Sequence, residues 1–126
     1  MEKTKLAQKH KAGKEAKRNL VDKISREYAN RVRRKLGKHV KQIVLFGSRA
    51  RGDFTEGSDY DILIVVDKSE KQFQEMVLDE SVEMMNKYYA LMGSVVCDEK
   101  EWERKKRFPS GLNILIKRGW NYKSSW

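Results

Sequence analysis

The sequence predicts an α/β (α+β) fold, in which a small mixed β-sheet is flanked by helices and preceded by a basic helical extension. Two apolar segments rich in β-branched residues, VKQIVLF (40–46) and DYDILIVVD (59–67), are typical of strands. The segments before and after them carry apolar residues on one face of a helical period. A chain of 126 residues can bury one core, so we expect a single domain.

The N-terminal third of the chain divides into a tail and a helix. Residues 1–14 are polar and basic without an apolar period, which predicts a disordered or loosely helical tail. Gly37 is a typical helix stop, so we expect a basic helix over 15–37 that begins one domain over 15–126. The inward face of this helix is predicted to carry Leu20, Ile24, Tyr28, Val32 and Leu36.

The rest of the chain alternates between turns, strands and helices. Three glycines in GSRARGDFTEGS (47–58) predict a turn, with one helical turn after Ser48. Ser69 is a typical N-cap for a helix that reaches Leu91 and buries it. The order then continues with a short strand (94–97), a helix (99–107), a break at Pro109, a second short helix (110–119) and a tail without a period (120–126).

The net charge of +10 is concentrated near the N-terminus. Residues 1–41 contain 15 Lys or Arg against 4 acids, whereas residues 42–126 contain 13 against 14. A basic segment attracts polyanions through contacts that do not depend on sequence, so this arm indicates RNA or another phosphate-rich partner. The alternative is a solvated helix without a partner, and the arm contains no base-reading motif.

Composition argues against a membrane protein and a disulfide scaffold. No apolar segment approaches the roughly 20 residues that a membrane-spanning helix needs, and the N-terminus lacks the apolar centre of a signal peptide. The single cysteine, Cys97, excludes an internal disulfide and a metal site built from cysteines. We therefore expect a cytoplasmic protein with no membrane partner.

Two acidic residues begin the second predicted strand. Asp59 and Asp61 alternate with Tyr60, so in a strand their side chains leave the same face, roughly 6–7 Å apart. Such carboxylates repel each other unless a cation lies between them, and Mg²⁺ commonly binds one or two carboxylates together with substrate phosphates. The pattern predicts a magnesium site, and its alternative is a pair of exposed acids at a strand edge.

A glycine turn precedes the two aspartates. Gly47 allows a ligand to approach the backbone closely, and the amide and hydroxyl of Ser48 could hold phosphate oxygens. Arg49 and Arg51 add charged donors for the same anion, unless this is an ordinary turn with solvated arginines. The Gly-Lys pair of a P-loop and the three spaced glycines of a dinucleotide site are both absent.

Together, the turn and the aspartates resemble a known signature. The stretch LFGSRARGDFTEGSDYDILIVV (45–66) has Gly-Ser after a hydrophobic residue and then, after ten residues, Asp-x-Asp before an apolar run. It resembles the motif of the DNA polymerase β-type nucleotidyltransferases, and the short chain most resembles their minimal members, the MNT proteins. The resemblance implies a polymerase β-like fold and transfer of a nucleoside monophosphate, AMP from ATP, with loss of pyrophosphate.

The resemblance also implies roles for residues and partners. One or two Mg²⁺ ions and a nucleoside triphosphate would be held by Gly47, Ser48, Asp59 and Asp61, with Arg51 and, less directly, Arg49 on phosphate. The acceptor would be a protein or RNA. Many relatives pair with a helical HEPN protein on a separate chain as toxin–antitoxin modules, so we expect such a partner, with this chain as the antitoxin.

One expected catalytic residue is missing. Catalytic relatives carry a third carboxylate on a later strand, and MGSVVCDEKEW (92–102) places it near Gly93 or Ser94. Asp98 is the nearest acid and is the candidate for a third metal ligand. Without that ligand the chain could bind nucleotide without transferring it, so a catalytically weak or inactive interaction module is one alternative. A nucleic-acid-binding protein that uses the basic arm is the other.

Overall fold

A four-stranded mixed sheet with strand order β3-β2-β1-β4 lies at the centre of the fold. The computed structural model describes the backbone of residues 2–107 and 120–123, and the side chains of residues 13 and 15–104. The elements in chain order are α1 (Glu2–Leu36), a 3-10 turn (Gly37–His39), β1 (Val40–Phe46), α2 (Gly47–Arg51), β2 (Tyr60–Val66), α3 (Lys71–Tyr88), β3 (Met92–Asp98), α4 (Glu99–Arg107) and β4 (Trp120–Lys123). The predicted fold class, a mixed sheet flanked by helices, is confirmed.

The strand register brings three chain segments to one end of the sheet. β1 and β2 are antiparallel, with Phe46 opposite Asp61, and β2 and β3 are parallel, with Asp61 opposite Gly93. β4 pairs with the other side of β1 in the antiparallel sense. The end of β1, the start of β2 and the start of β3 are therefore neighbours.

The two faces of the sheet bury separate apolar clusters, because side chains alternate along each strand. One face packs under α1 and α3, and its buried residues include Tyr28, Val32, Ile62 and Ile64. The opposite face carries Val44, Phe46, Leu63, Val65 and Cys97, and packs against Trp102 of α4. β2 supplies both clusters, which explains its nearly continuous apolar sequence.

A buried hydroxyl group connects α1, α3 and β3. The hydroxyl of Tyr28 lies 2.9 Å from the Ser81 hydroxyl and 2.6 Å from the Ser94 hydroxyl. Burial raises the pKa of the Tyr28 hydroxyl, and the two serine hydrogen bonds oppose this effect. Tyr28 is therefore a neutral hydrogen-bonding group in the core rather than a titrating one.

The N-terminal helix differs from the prediction in the face it buries, and it begins earlier than the expected range of 15–37. α1 is continuous from Glu2 to Leu36, so residues 2–14 are helical, the second of the two states that the sequence predicted for them. Their Lys, Ala and Gln residues favour helix without needing an apolar face, which the periodicity argument overlooked. Leu20, predicted to face inward, is 52% exposed, and Val21 is the first residue of α1 that is buried among the side chains that the structure describes.

The boundaries of α3 also differ from the prediction. Glu70 rather than Ser69 occupies the N-cap position, and the helix ends at Tyr88 because Tyr89 takes a left-handed conformation with φ of 55°. Leu91, predicted to face inward, therefore lies beyond the helix and is 51% exposed.

One described segment near the C-terminus was not predicted as the structure has it. Residues 120–123 form an edge strand, which is too short to show a period in the sequence. The predicted break at Pro109 and the helix over 110–119 lie outside the described residues. Among the described helices, none combines the length and apolarity that crossing a membrane requires.

Candidate functional site

The carboxylate of Asp61 lies between two glycines at the shared end of the three strands. A Cβ atom at Gly47 would come within 2.9 Å of Asp61 Cγ, closer than real Cβ atoms approach such atoms. A Cβ at Gly93 would lie 3.5 Å from Asp61 Oδ1, an ordinary contact. Gly47 also has φ of 73°, so both its backbone and its missing side chain allow the turn to touch this carboxylate.

The environment of Asp61 opposes its ionisation. Burial raises the pKa of the Asp61 carboxyl, the negative charge of Asp59 raises it further, and the positive charge of Arg51 lowers it. Asp59 lies just before β2 and is exposed, whereas Asp61 is partly buried. The structure therefore brings the two aspartates and Arg51 into electrostatic contact at one site, and a cation there would relieve the repulsion between the carboxylates.

The phosphate turn predicted from the glycines is a short helix. Ser48 lies in α2, and the Ser48 carbonyl oxygen accepts a hydrogen bond of 2.9 Å from the amide of Gly52. Gly52 ends the helix in a left-handed conformation with φ of 92°. Arg51, in the last turn, is exposed and lies 3.4 Å from a carboxylate oxygen of Asp53, so its guanidinium remains at the solvent side of the site.

Arg49, predicted as a less direct phosphate contact, binds the neighbouring loop in the structure. Its Nε donates to the Ser58 carbonyl oxygen at 3.2 Å, and its Nη2 donates to the carbonyl oxygens of Glu56 and Ser58 at 3.1 and 3.0 Å. The guanidinium lies 4.4 Å from the ring centroid of Phe54 and 4.7 Å from that of Tyr60. Arg49 therefore holds the loop between α2 and β2 through its Nε and Nη2.

Asp98, predicted as a third metal ligand, is not brought next to Asp61 by the strand register. Asp98 pairs with Val66 in the sheet, five positions along β2 from Asp61 and at the opposite end of the strand. Its Oδ1 accepts a hydrogen bond of 2.8 Å from the amide of Glu101, at the start of α4. Since side chains alternate along a strand, an offset of five positions puts Asp98 on the opposite face of the sheet from Asp61. The strand also advances about 3.3 Å per residue, so the two carboxylates are too far apart to share a cation.

The position expected for the third carboxylate is next to Asp61 and is a glycine. Gly93 is directly opposite Asp61 in the parallel pair. No group of three or more His, Cys, Asp or Glu suited to a metal occurs among the described residues. The donor set is therefore two carboxylates, which fits a hard cation such as Mg²⁺ only if substrate oxygens complete the coordination.

Sequence reasoning missed one residue beside the site. Arg18 of α1 has its Nη2 3.9 Å from the position that a Cβ would take at Gly52. The two residues are distant in the chain, and only the packing of α1 against the sheet brings them together. No sequence signal could have identified this neighbour.

Comparisons with known proteins identify a family and two similar proteins. The family described as "Nucleotidyltransferase domain" matches residues 25–115. A Methanocaldococcus jannaschii protein described as a "putative protein adenylyltransferase" is 35% identical over 94 residues, which cover 75% of this chain and 90% of that protein. A crystal structure described as a "putative nucleotidyltransferase" from Sulfolobus solfataricus is 28% identical, with a TM-score of 0.45, and covers 72% of this chain and 78% of that one.

The family match spans the elements that build the site. It includes β1, the α2 turn, β2 and β3, and it begins within α1, after the first 24 residues. The resemblance found in the Gly-Ser and Asp-x-Asp motif is thus confirmed over most of the chain. The chain belongs to the nucleotidyltransferase domain family, of the polymerase β type.

Proposed function

We propose that this protein transfers AMP from ATP, in a Mg²⁺-dependent reaction, to a hydroxyl group of a protein or of RNA. The observation that carries the proposal is the contact between the Gly47 turn and the Asp61 carboxylate. It places the backbone that would hold phosphates directly against the carboxylate that would bind a metal. The name of the Methanocaldococcus jannaschii relative supports adenylyl transfer.

Each side chain of the site has a role in this proposal. Asp59 and Asp61 would hold one or two Mg²⁺ ions, and the bound metal would supply charge neutralisation of the triphosphate. Gly47 and Ser48 hold the β- and γ-phosphates, and Arg51 contributes a charged donor from the end of α2. Arg49 fixes the loop that positions Asp59, because its donors bind the carbonyl oxygens of that loop.

The reaction is a displacement at the α-phosphorus. The acceptor oxygen forms a bond to this phosphorus, and the bond to the bridging oxygen of the β-phosphate breaks. Pyrophosphate leaves with the electron pair, and the hydroxyl proton passes to solvent. Since Gly93 provides no carboxylate beside Asp61, we expect this proton transfer to be unassisted and turnover to be slow.

The first test measures nucleotide binding by calorimetry, with and without Mg²⁺. The double variant Asp59→Ala, Asp61→Ala should lose Mg²⁺-dependent ATP binding while keeping the fold, as judged by circular dichroism. The matched control, Asp22→Ala with Asp79→Ala, removes the same charge from exposed positions elsewhere and should bind normally. Equal affinity of both double variants would refute the metal site.

The second test measures transfer with ATP labelled on its α-phosphate. The candidate acceptor is the protein that copurifies with this chain, and a HEPN protein carrying an AMP adduct would establish both the chemistry and the toxin–antitoxin pairing. Binding of Mg²⁺-ATP without any labelled product would instead favour the interaction module, in which the site binds nucleotide but does not react.

The variant Gly93→Asp separates slow catalysis from none. A carboxylate attached at this position would begin from a Cβ 3.5 Å from Asp61 Oδ1, within reach of the same cation. We expect the label transferred per unit time to rise with this variant, whereas Gly93→Asn, of similar size, should not raise it. No increase would show that the missing carboxylate does not limit the reaction.

A further inference from the structure

The N-terminal extension of α1, residues 2–20, precedes the first residue of this helix that is described as buried. The helix has 35 residues, about 52 Å at 1.5 Å per residue, and among its described side chains the first buried one is that of Val21. Residues 15–20 are all exposed. The matched family region begins only at residue 25, so this extension is not part of what the family model describes.

One face of this extension is basic. With 3.6 residues per turn, five of its seven Lys and Arg positions fall within an arc of about 120°, and we call them the basic stripe: Lys3, Lys11, Lys14, Lys17 and Arg18. The arc coincides with the helical face that carries the buried residues Val21, Tyr28 and Val32 farther along α1. By helical position, the face that packs on the core thus continues toward the N-terminus through these five basic residues.

The basic stripe leads to the candidate site. Arg18, at the inner end of the stripe, has its guanidinium next to Gly52, the residue that ends α2. Ser48 and Arg51 belong to that same short helix. A polyanion lying along the stripe would therefore meet the molecule where the nucleotide phosphates are proposed to bind.

The composition of the extension favours a phosphate backbone over a protein surface. Lysine is depleted at the centres of protein–protein interfaces, where aromatic residues are enriched, and residues 1–20 contain lysines but no Phe, Tyr or Trp. The same lack of aromatics argues against stacking on unpaired bases and for contacts to a duplex backbone.

We propose that the basic stripe docks an RNA duplex and presents it to the nucleotidyl transfer site. This inference rests on the proposed function, because transfer needs an acceptor hydroxyl beside Asp61. RNA supplies a 2′-hydroxyl on every ribose, whereas DNA offers a free hydroxyl only at a strand end. RNA is therefore the acceptor that can react wherever the strand meets the site.

The test compares two double variants of the same helix. Lys11→Gln with Lys14→Gln removes two charges from the basic stripe, and Lys5→Gln with Lys9→Gln removes two charges from the opposite side. A 20-base-pair RNA duplex is titrated by fluorescence anisotropy at several salt concentrations. Five phosphate contacts predict a log–log salt slope of about −4.5 for the unmodified chain, by the counterion-release relation.

The stripe variant should reduce the salt slope by about two and weaken binding about 50-fold at 0.1 M salt, since each lost contact counts about 0.9 in the slope. The control should change both much less. Equal losses in the two variants, no binding at low salt, or equal competition by polyglutamate would overturn the proposal.

Two further readouts separate this inference from the proposed function. Binding of Mg²⁺-ATP to the stripe variant should be unchanged, because Lys11 and Lys14 are not site residues. Labelled ATP should mark the RNA in the unmodified chain and mark it less in the stripe variant. If the label appears only on protein, RNA is not the acceptor. If the unmodified chain binds RNA but does not bind Mg²⁺-ATP, the proposed function is refuted while RNA docking stands.

Discussion

Replacement of Gly47 by alanine tests whether the close approach of the α2 turn to Asp61 makes the site. The added methyl group imposes two separate costs. At φ of 73° any L-residue other than glycine is disfavoured by about 1–2 kcal/mol. The Cβ would also lie 2.9 Å from Asp61 Cγ, so the Asp61 side chain must leave its rotamer, at about 0.5–1.5 kcal/mol more.

Two other glycines provide matched controls for the two costs. Gly37 has φ of 61° and nothing within 4 Å of its virtual Cβ, so Gly37→Ala carries the backbone cost alone. Gly57 has neither a positive φ nor a near neighbour, so Gly57→Ala should be close to neutral. We expect the loss of unfolding free energy to increase from Gly57→Ala to Gly37→Ala to Gly47→Ala.

Thermal unfolding measures the stability of these variants, and calorimetry measures their affinity for Mg²⁺-ATP. Gly47→Ala should be less stable by about 1.5–3.5 kcal/mol in total. It should also bind Mg²⁺-ATP about 10–100-fold more weakly, the usual effect of displacing a group that orients a metal ligand. The two control variants should bind normally. If Gly47→Ala matches Gly37→Ala in both stability and affinity, the contact with Asp61 has no functional part.

Three further predictions concern single side chains. Burial and Asp59 raise the pKa of the Asp61 carboxyl in the folded state. The contribution of Asp61 to the free energy of unfolding is therefore fully present below the ordinary carboxyl pKa, where the group is neutral, and is lost as pH rises through the raised pKa. Asp61→Asn should therefore raise the melting temperature at pH 7 without Mg²⁺, by more than at pH 3; an equal change at both pH values contradicts this. Arg49→Lys loses the paired hydrogen bonds from the guanidinium to the loop, and it should lower the free energy of unfolding by about 1–2 kcal/mol. It should also speed amide hydrogen exchange in residues 52–59, and unchanged exchange would contradict the role of Arg49 in holding this loop. Tyr28→Phe removes the partner of the Ser94 hydroxyl and should cost about 1–2 kcal/mol in urea unfolding, with a neutral result counting against the core network.

The central strands could be predicted closely because their signals are local. The predicted range of β1 matches the structure, and that of β2 differs by one residue at each end, since runs of β-branched residues bounded by Gly-rich turns specify strands through short-range preferences. The start of α1 could not be placed in this way, because a helix of Lys, Ala and Gln has propensity without an apolar period. The strand β4 is a tertiary feature, since four residues acquire strand geometry only by pairing with β1.

The sequence by itself determined the chemistry of the candidate site, and the tertiary structure decided which residues share it. Gly47, Ser48, Asp59 and Asp61 stand in one short stretch whose spacing is local information, so the motif could be found without coordinates. The commitment of Arg49 to a loop, the exclusion of Asp98 and the approach of Arg18 to Gly52 depend on strand register and helix packing. Such contacts join residues that are distant in the chain, and their energies arise only when the sheet has assembled.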